Sequence, residues 1–277
     1  TREYMQSTDK IINIDGAKIR IRIEGNENAQ PIILLHGFSF SLESWNDWAV
    51  ELKNEYKVIR YDLLGHGLTG KDPKSRYAPM ERAEFLGKVL ENLNIKQAII
   101  AGNSLGGLVA WRYAQHHPEK IKALILIAPG GYSINGVTDT PVEAPAPIQA
   151  YFRNPPEIGV QYSLTRLFSN PAFITPERVK RAKDMLTLNN NGEELIKSIS
   201  EFILPDPSSD LSKIKVPTLI LWGKKDMVIP VDHGTKFQNA IGGSKLITYD
   251  NTGHIPQEEI PERPLKDVSL FLSKIME

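Results

Sequence analysis

Ser104, Asp226 and His254 are the side chains whose types and order in this chain could carry out covalent acyl chemistry. Ser104 stands in Gly102-Asn103-Ser104-Leu105-Gly106, after the apolar run Ala98-Ile99-Ile100-Ala101 and before Leu108-Val109-Ala110-Trp111. A serine set between glycines where a strand turns into a helix matches G-x-S-x-G, a tight turn that lifts a nucleophile above a sheet. A hydroxyl attacks poorly until a base takes its proton. A histidine fixed in one tautomer by a carboxylate is suited to that task. Behind this turn the partners are expected in the order serine, acid, histidine, each at the carboxyl end of a strand. Asp226 follows the run Thr218-Leu219-Ile220-Leu221-Trp222, and His254 lies 28 residues further on, with room for one helix and one strand between. Asp250 is the runner-up acid, only four residues before the histidine.

An acyl transfer also needs two backbone N–H groups aimed at the developing oxyanion. Leu105, next to the serine, is expected to supply one. Phe38, in the loop after Pro31-Ile32-Ile33-Leu34-Leu35-His36-Gly37, is expected to supply the other. His36 and His66 read as hydrogen-bonded scaffolding, Asp62 as the anchor of its own loop, His233 as a surface residue, and Trp45, Trp48 and Trp111 as core.

The elements that would position these groups alternate. The runs 11–14 and 19–24 flank Asp15-Gly16, a hairpin turn signal. Strands are predicted at 31–35, 58–61, 98–101, 123–128, 218–222 and 245–250, with helices at 42–54, 80–93, 108–114, 231–241 and 262–275 between them. Strand–helix alternation implies a mostly parallel sheet covered on both faces. The rhythm stops after Pro129-Gly130-Gly131. Residues 132–210 hold nine of the 19 prolines and no clear buried strand, while 178–188 and 193–202 look helical. The chain is therefore divided into an α/β core, 1–131 with 211–277, and an inserted helical cap, 132–210. A cap inserted there would roof the strand ends where open α/β sheets bind ligands. Tyr132, Tyr151, Phe152, Leu167, Phe168 and Phe173, together with Ile255, are the candidate substrate-pocket residues.

His36-Gly37-Phe38, Asp62-x-x-Gly65-x-Gly67, Gly102-Asn103-Ser104-Leu105-Gly106-Gly107, Trp222-Gly223-x-x-Asp226 and Gly253-His254 together resemble the motif set of the α/β-hydrolase superfamily. The resemblance implies that superfamily's fold, an eight-stranded and mostly parallel sheet. It also implies a nucleophile–base–acid set at Ser104, His254 and Asp226. A serine at the turn differs from the aspartate of haloalkane dehalogenases and epoxide hydrolases. Asp232-His233-Gly234 and Phe173-Ile174-Thr175 resemble the meta-cleavage-product C–C hydrolases. That branch, however, carries a tryptophan where this chain has Ile255, and a cap arginine where it has Ala182, next to Arg181. The loop His36 to Trp45 and Gly65-His66-Gly67-Leu68-Thr69-Gly70 look more like carboxylesterases. The expected activity is hydrolysis of small-molecule esters with short to medium acyl chains. The alternatives are C–C bond hydrolysis and a slow, ligand-sensing relative.

Composition narrows the field further. Among the 277 residues, 33 basic side chains balance 33 acidic ones, which gives no support for a nucleic-acid or anionic-membrane partner. There is no cysteine, so disulfides and thiolate chemistry are out. The six histidines never take metal-ligand spacing, and neither G-x-G-x-x-G nor a phosphate-binding loop occurs, so no metal and no nucleotide cofactor are expected. No apolar run approaches a membrane span. A first residue of Thr1 is compatible with an anchor or export signal removed ahead of it, which leaves a cytoplasmic or an exported protein open. Monomer and dimer are equally compatible with the sequence.

Overall fold

The computed structural model describes residues 3–134 and 136–276. The strands are β1 (Asp9–Ile14), β2 (Ala17–Glu24), β3 (Pro31–Leu35), β4 (Lys57–Tyr61), β5 (Ala98–Asn103), β6 (Ile121–Ile127), β7 (Thr218–Gly223) and β8 (Lys245–Tyr249). They form one eight-stranded sheet in the order β1-β2-β4-β3-β5-β6-β7-β8. The β1–β2 hairpin and the β2–β4 pair are antiparallel, and every later pair is parallel. The helices are α1 (Asn46–Leu52), α2 (Pro79–Asn92), α3 (Leu105–His116), α4 (Ala146–Arg153), α5 (Glu157–Thr165), α6 (Pro176–Thr187), α7 (Asn191–Ser200), α8 (Ser208–Leu211), α9 (Asp232–Ala240), α10 (Pro256–Glu259) and α11 (Glu262–Met276).

The central strands are apolar throughout because both their faces are covered. Alternate side chains divide between two cores. Ile33, Leu35, Ile100, Leu124, Leu126 and Ile220 pack with α2, α3 and α9. Ile32, Leu34, Ile99, Ile125, Leu219 and Leu221 pack with α1 and α11. Burying each such side chain stabilises the fold by about 1.5–3 kcal/mol. Trp45, Trp48 and Trp111 are fully buried in these cores.

β2 departs from the half-exposed strand that its alternation of Ile and Arg suggests. Arg20 and Arg22 are as buried as Ile19 and Ile21. Arg20 meets Asp9 at 2.8 Å, Glu43 at 2.5 Å and Asp62 at 3.4 Å, and Arg22 meets Asp9 at 2.5 Å. Charges survive inside a fold when paired and hydrogen-bonded in this way. Asp62 also accepts the N–H groups of Leu42 and Leu68, each at 2.7 Å, so one carboxylate ties two loops. Burial pushes its carboxyl up to about 6 against the pull of Arg20. The stretch predicted as one helix over 42–54 opens with a 3-10 turn, Leu42–Trp45, before α1.

Between β6 and β7 the described residues add no strand to the sheet, and α4 to α7 fill the interval. Val160, Leu164, Phe168, Val179, Leu186 and Leu195 form a small core there, closed from below by Ile255. The two ends of the interval lie instead on the α/β body. Tyr132 packs its ring 5.5 Å from Phe237, and α8 lies against α3 and α9.

Candidate active site

Ser104 sits between β5 and α3 with φ 55° and ψ −114°. A non-glycine residue held at positive φ is strained, and such strain is kept where surrounding structure imposes it. The imposition here is steric: a Cβ at Gly102 would stand 2.2 Å from the Gly106 carbonyl oxygen, and one at Gly106 2.2 Å from that of Leu35. Hydrogen bonds complete the turn. The Ser104 N–H donates to Ile127, and its carbonyl accepts from Leu108 and Gly130, all at 3.0 Å. From Ala98 to Ala114 every residue is buried except Ser104.

Asp226 lies on the loop after β7 and His254 on the loop after β8. His254 Nδ1 is 2.7 Å from Asp226 Oδ2, with side-chain exposures of 3% and 0%. The other oxygen, Oδ1, accepts the N–H groups of Val228 at 2.8 Å and Ile229 at 2.9 Å. With Nδ1 committed to Asp226, the second ring nitrogen is left for proton exchange. The ring lines the same cavity as Ser104. No hydrogen bond joins the two in this resting geometry, which is common before substrate binds. Asp250, by contrast, is 72% exposed and bound to Lys224 at 2.8 Å.

The backbone of Gly37 passes beside the serine, close enough that a Cβ there would be 3.4 Å from Ser104 Cβ. Neither the Phe38 nor the Leu105 N–H donates to a protein acceptor among the described residues. Both residues border the cavity at Ser104. His36 holds this loop from behind: its ring bonds the Gly37 carbonyl at 2.8 Å and the Leu63 N–H at 2.9 Å. Burial depresses His36 to about 4 and His66 well below the ordinary histidine value, so both are neutral supports.

Two cavities meet at Ser104, Phe38 and Val228. One, of about 660 Å³, is walled by Ile134, Val137, Ile199, Phe202 and Ile229. The other, of about 640 Å³, is bordered by Ser39, Phe40, Ser163, Arg166, Leu167, His254 and Ile255. Arg166 follows α5, and its guanidinium donates to the Met227 carbonyl at 2.6 Å, with no carboxylate paired to it among the described residues.

Of the pocket candidates read from sequence, Leu167 and Ile255 border the catalytic cavity, and Tyr151 borders an adjoining one together with Leu167. The other four are corrected by their packing. Tyr132 leans on Phe237 and His233. Phe152 packs edge-on to Phe38 and Tyr151 inside the small cap core. Phe168 is 3% exposed, stacked on Phe173 at 5.6 Å and covered by Arg178. Phe173 faces an outer groove with Thr175 and Lys180. His233 is also not a surface residue, being 6% exposed, because the first turn of α9 presses on Trp222 and Tyr132. Sequence reasoning missed Ile134, Val137, Ile199 and Phe202, whose only signal was apolar residues at the two ends of the insertion. It also missed Arg166, which carries no motif.

The site is thus a strained serine, a buried histidine–aspartate pair and two free N–H groups at the strand ends of an α/β sheet. A family model described as the alpha/beta hydrolase fold matches residues 30–261, and the chain belongs to that family. It is 28% identical to the 2-hydroxy-6-oxononadienedioate/2-hydroxy-6-oxononatrienedioate hydrolase of Burkholderia vietnamiensis (strain G4 / LMG 22486), covering 97% of this chain and 96% of that one. A crystal structure of a membrane phospholipase A, described as a bacterial virulence factor, superposes with a TM-score of 0.80 at 25% identity, covering 97% of this chain and 86% of that one. The meta-cleavage product hydrolase from Pseudomonas fluorescens IP01 superposes with a TM-score of 0.84 at 22% identity, covering 96% and 97%. Among the described residues no helix is long and apolar enough to cross a membrane.

Proposed function

We propose that this α/β hydrolase cleaves carboxylic esters of small to medium acyl chains through an acyl-enzyme on Ser104. The observation that carries this reading is the cavity of about 660 Å³ at Ser104, whose lining, among the described residues, holds no charged side chain. An alkyl chain entering it gains about 0.8 kcal/mol per buried methylene. The name of the phospholipase neighbour points the same way.

In this mechanism Ser104 Oγ attacks the acyl carbon while His254 Nε2 takes its proton. The Phe38 and Leu105 N–H groups hold the oxyanion. The tetrahedral centre collapses, the acyl–oxygen bond breaks and His254 returns the proton to the leaving alkoxide. Water then attacks the acyl carbon, gives a proton to His254 and releases the acid; that proton goes back to Ser104. Asp226 keeps the imidazole in the working tautomer and stabilises its charged form.

A second reading is hydrolysis of a carbon–carbon bond in a vinylogous diketone acid. The curated relatives favour it over the first, since their names are those of C–C hydrolases. Arg166 favours it too, as a cation on the polar side of Ser104 that could meet a substrate carboxylate. Ile255 and Ala182 count against it. The test is kcat/KM for p-nitrophenyl esters of graded chain length beside that for a meta-cleavage diketone acid. Ester turnover well above the diketone supports the first reading, and the reverse order replaces it with the second. Stoichiometric fluorophosphonate labelling without turnover of either points to a slow, ligand-sensing relative.

A further inference from the structure

We infer that Glu259 is a positioning residue that ties the seating of the cap to the geometry of His254. Glu259 ends α10, is 3% exposed, and has no Lys or Arg paired with it among the described residues. Its carboxylate is satisfied by donors from two different parts of the chain. Oε2 accepts the Gly253 N–H at 2.6 Å, immediately before the histidine. Oε1 accepts the Asn170 N–H at 2.9 Å and lies 2.6 Å from the Ser169 hydroxyl, both on the segment joining α5 to α6. That hydroxyl is also 2.5 Å from the Asn251 carbonyl, so its single proton serves one of two acceptors, both on the histidine side.

The same segment touches the histidine directly. The His254 N–H donates to the Leu167 carbonyl at 2.8 Å. A Cβ at Gly253 would stand 2.3 Å from that carbonyl oxygen, so only glycine lets the two backbones lie this close. On its other side the His254 carbonyl accepts Asn103 Nδ2 at 3.1 Å, from the residue before the nucleophile. The base therefore sits between the serine turn and the cap, and Glu259 is the bridge that keeps the cap side in register. Moving the 167–170 segment without moving His254 would require breaking this set of bonds. Charge-assisted bonds of this length are stronger than neutral ones, and glutamine at the same place can accept but not carry the charge.

The inference rests on the triad alone, whichever bond the enzyme cleaves, so its readout is labelling of Ser104 by a fluorophosphonate, with kcat and KM for one ester alongside. Glu259→Gln is expected to slow labelling and kcat by about 10- to 100-fold, the size of effect that a small misplacement of a catalytic group produces, with KM within about twofold of the wild type. Tyr77→Phe is the control. It removes a different cap–core bond, Tyr77 Oη to Glu194 on α7 at 2.5 Å. It should lower Tm while leaving labelling and kcat per folded molecule unchanged. Wild-type labelling in folded Glu259→Gln overturns the inference, as does an equal loss in Tyr77→Phe. Should Glu259→Gln not fold, Ser169→Ala, which removes the hydroxyl held between Glu259 and the Asn251 carbonyl, carries the test: a smaller slowing supports the coupling and a wild-type rate overturns it. If the wild type labels rapidly but turns over no ester, the ester reading fails while this comparison still stands.

Discussion

The imidazole of His254 and the carboxylate of Asp226 meet at 2.7 Å, Nδ1 to Oδ2, with both side chains withdrawn from solvent. The free oxygen of Asp226 is spent on the N–H groups of Val228 and Ile229, whose side chains wall the apolar cavity. Asp226, bound to His254, is thus anchored on the segment that shapes the space beside Ser104.

This relationship predicts the outcome of Asp226→Asn. An asparagine amide can present its N–H groups to Nδ1 and stabilise the wrong tautomer. The fold should remain, while kcat falls about 10⁴-fold. Asp250→Asn, at an exposed ion pair with Lys224, should stay within about twofold of the wild type. Steady-state kinetics on both variants decide the assignment, and an inactive Asp250→Asn beside an active Asp226→Asn would reverse it.

For the nucleophile, Ser104→Ala should lose on the order of 10⁶-fold in kcat and all fluorophosphonate labelling. Intact-mass and peptide mass spectrometry of the labelled wild type should place the adduct on Ser104. An adduct elsewhere would contradict the site.

The fold, and the placing of Ser104, Asp226 and His254 at the ends of neighbouring strands, were readable from sequence because each rests on short-range constraints. Gly102 and Gly106 mark a turn that tolerates no side chain, and the runs 31–35, 98–101 and 218–222 are too apolar to be anything but buried. Most of the pocket was not readable, Leu167 and Ile255 excepted. Phe168 and Phe173 look as suitable as Phe202, and only the packing of α6 against α5 turns the first two away from the catalytic cavity. Glu259 lay hidden for the same reason, since a carboxylate with backbone partners on two loops has no local pattern.

Chain-length preference should follow the walls found here. Phe202→Ala or Ile199→Ala enlarges the apolar cavity and should move the preferred p-nitrophenyl ester toward longer acyl chains. Phe168→Ala should instead cost about 3–5 kcal/mol of stability, as buried aromatic truncations do, with the chain-length profile unchanged. An unchanged profile in both wall variants would remove this cavity as the acyl site.

Arg166 separates charged from neutral substrates. Hydrogen bonds to charged groups contribute about 1.5–3 kcal/mol, and partial exposure places this one at the lower end. Arg166→Gln should therefore cost about tenfold in kcat/KM for a substrate bearing a carboxylate on the polar side, with KM carrying most of it. Neutral esters should change by less than about twofold. Equal losses on both kinds of substrate would mean that Arg166 acts only through its bond to Met227.

Acid stability should turn on the histidines behind the Phe38 loop. His36 accepts the Leu63 N–H with Nε2, so a second ring proton would collide with that donor, and burial depresses the group to about 4. In the unfolded chain an imidazole titrates near about 6.5. Between those values the unfolded state binds a proton that the native state refuses, so stability falls as pH falls through this window and levels off below about 4. The size for His36 alone is about 3 kcal/mol. Asp62 works in the opposite sense. Its carboxyl is raised to about 6, so the native state gains a proton first and recovers a similar amount over nearly the same range. His66 is likewise held well below the ordinary histidine value by burial, so it too refuses a proton that the unfolded chain binds and adds to the loss in acid. Urea unfolding at pH 7 and pH 4.5 should show a lower unfolding free energy at the acid value. His36→Gln keeps a side-chain acceptor within reach of Leu63 but does not titrate, and should reduce the acid loss by about 3 kcal/mol. An identical loss in the variant would show that the acid sensitivity lies elsewhere than in this loop.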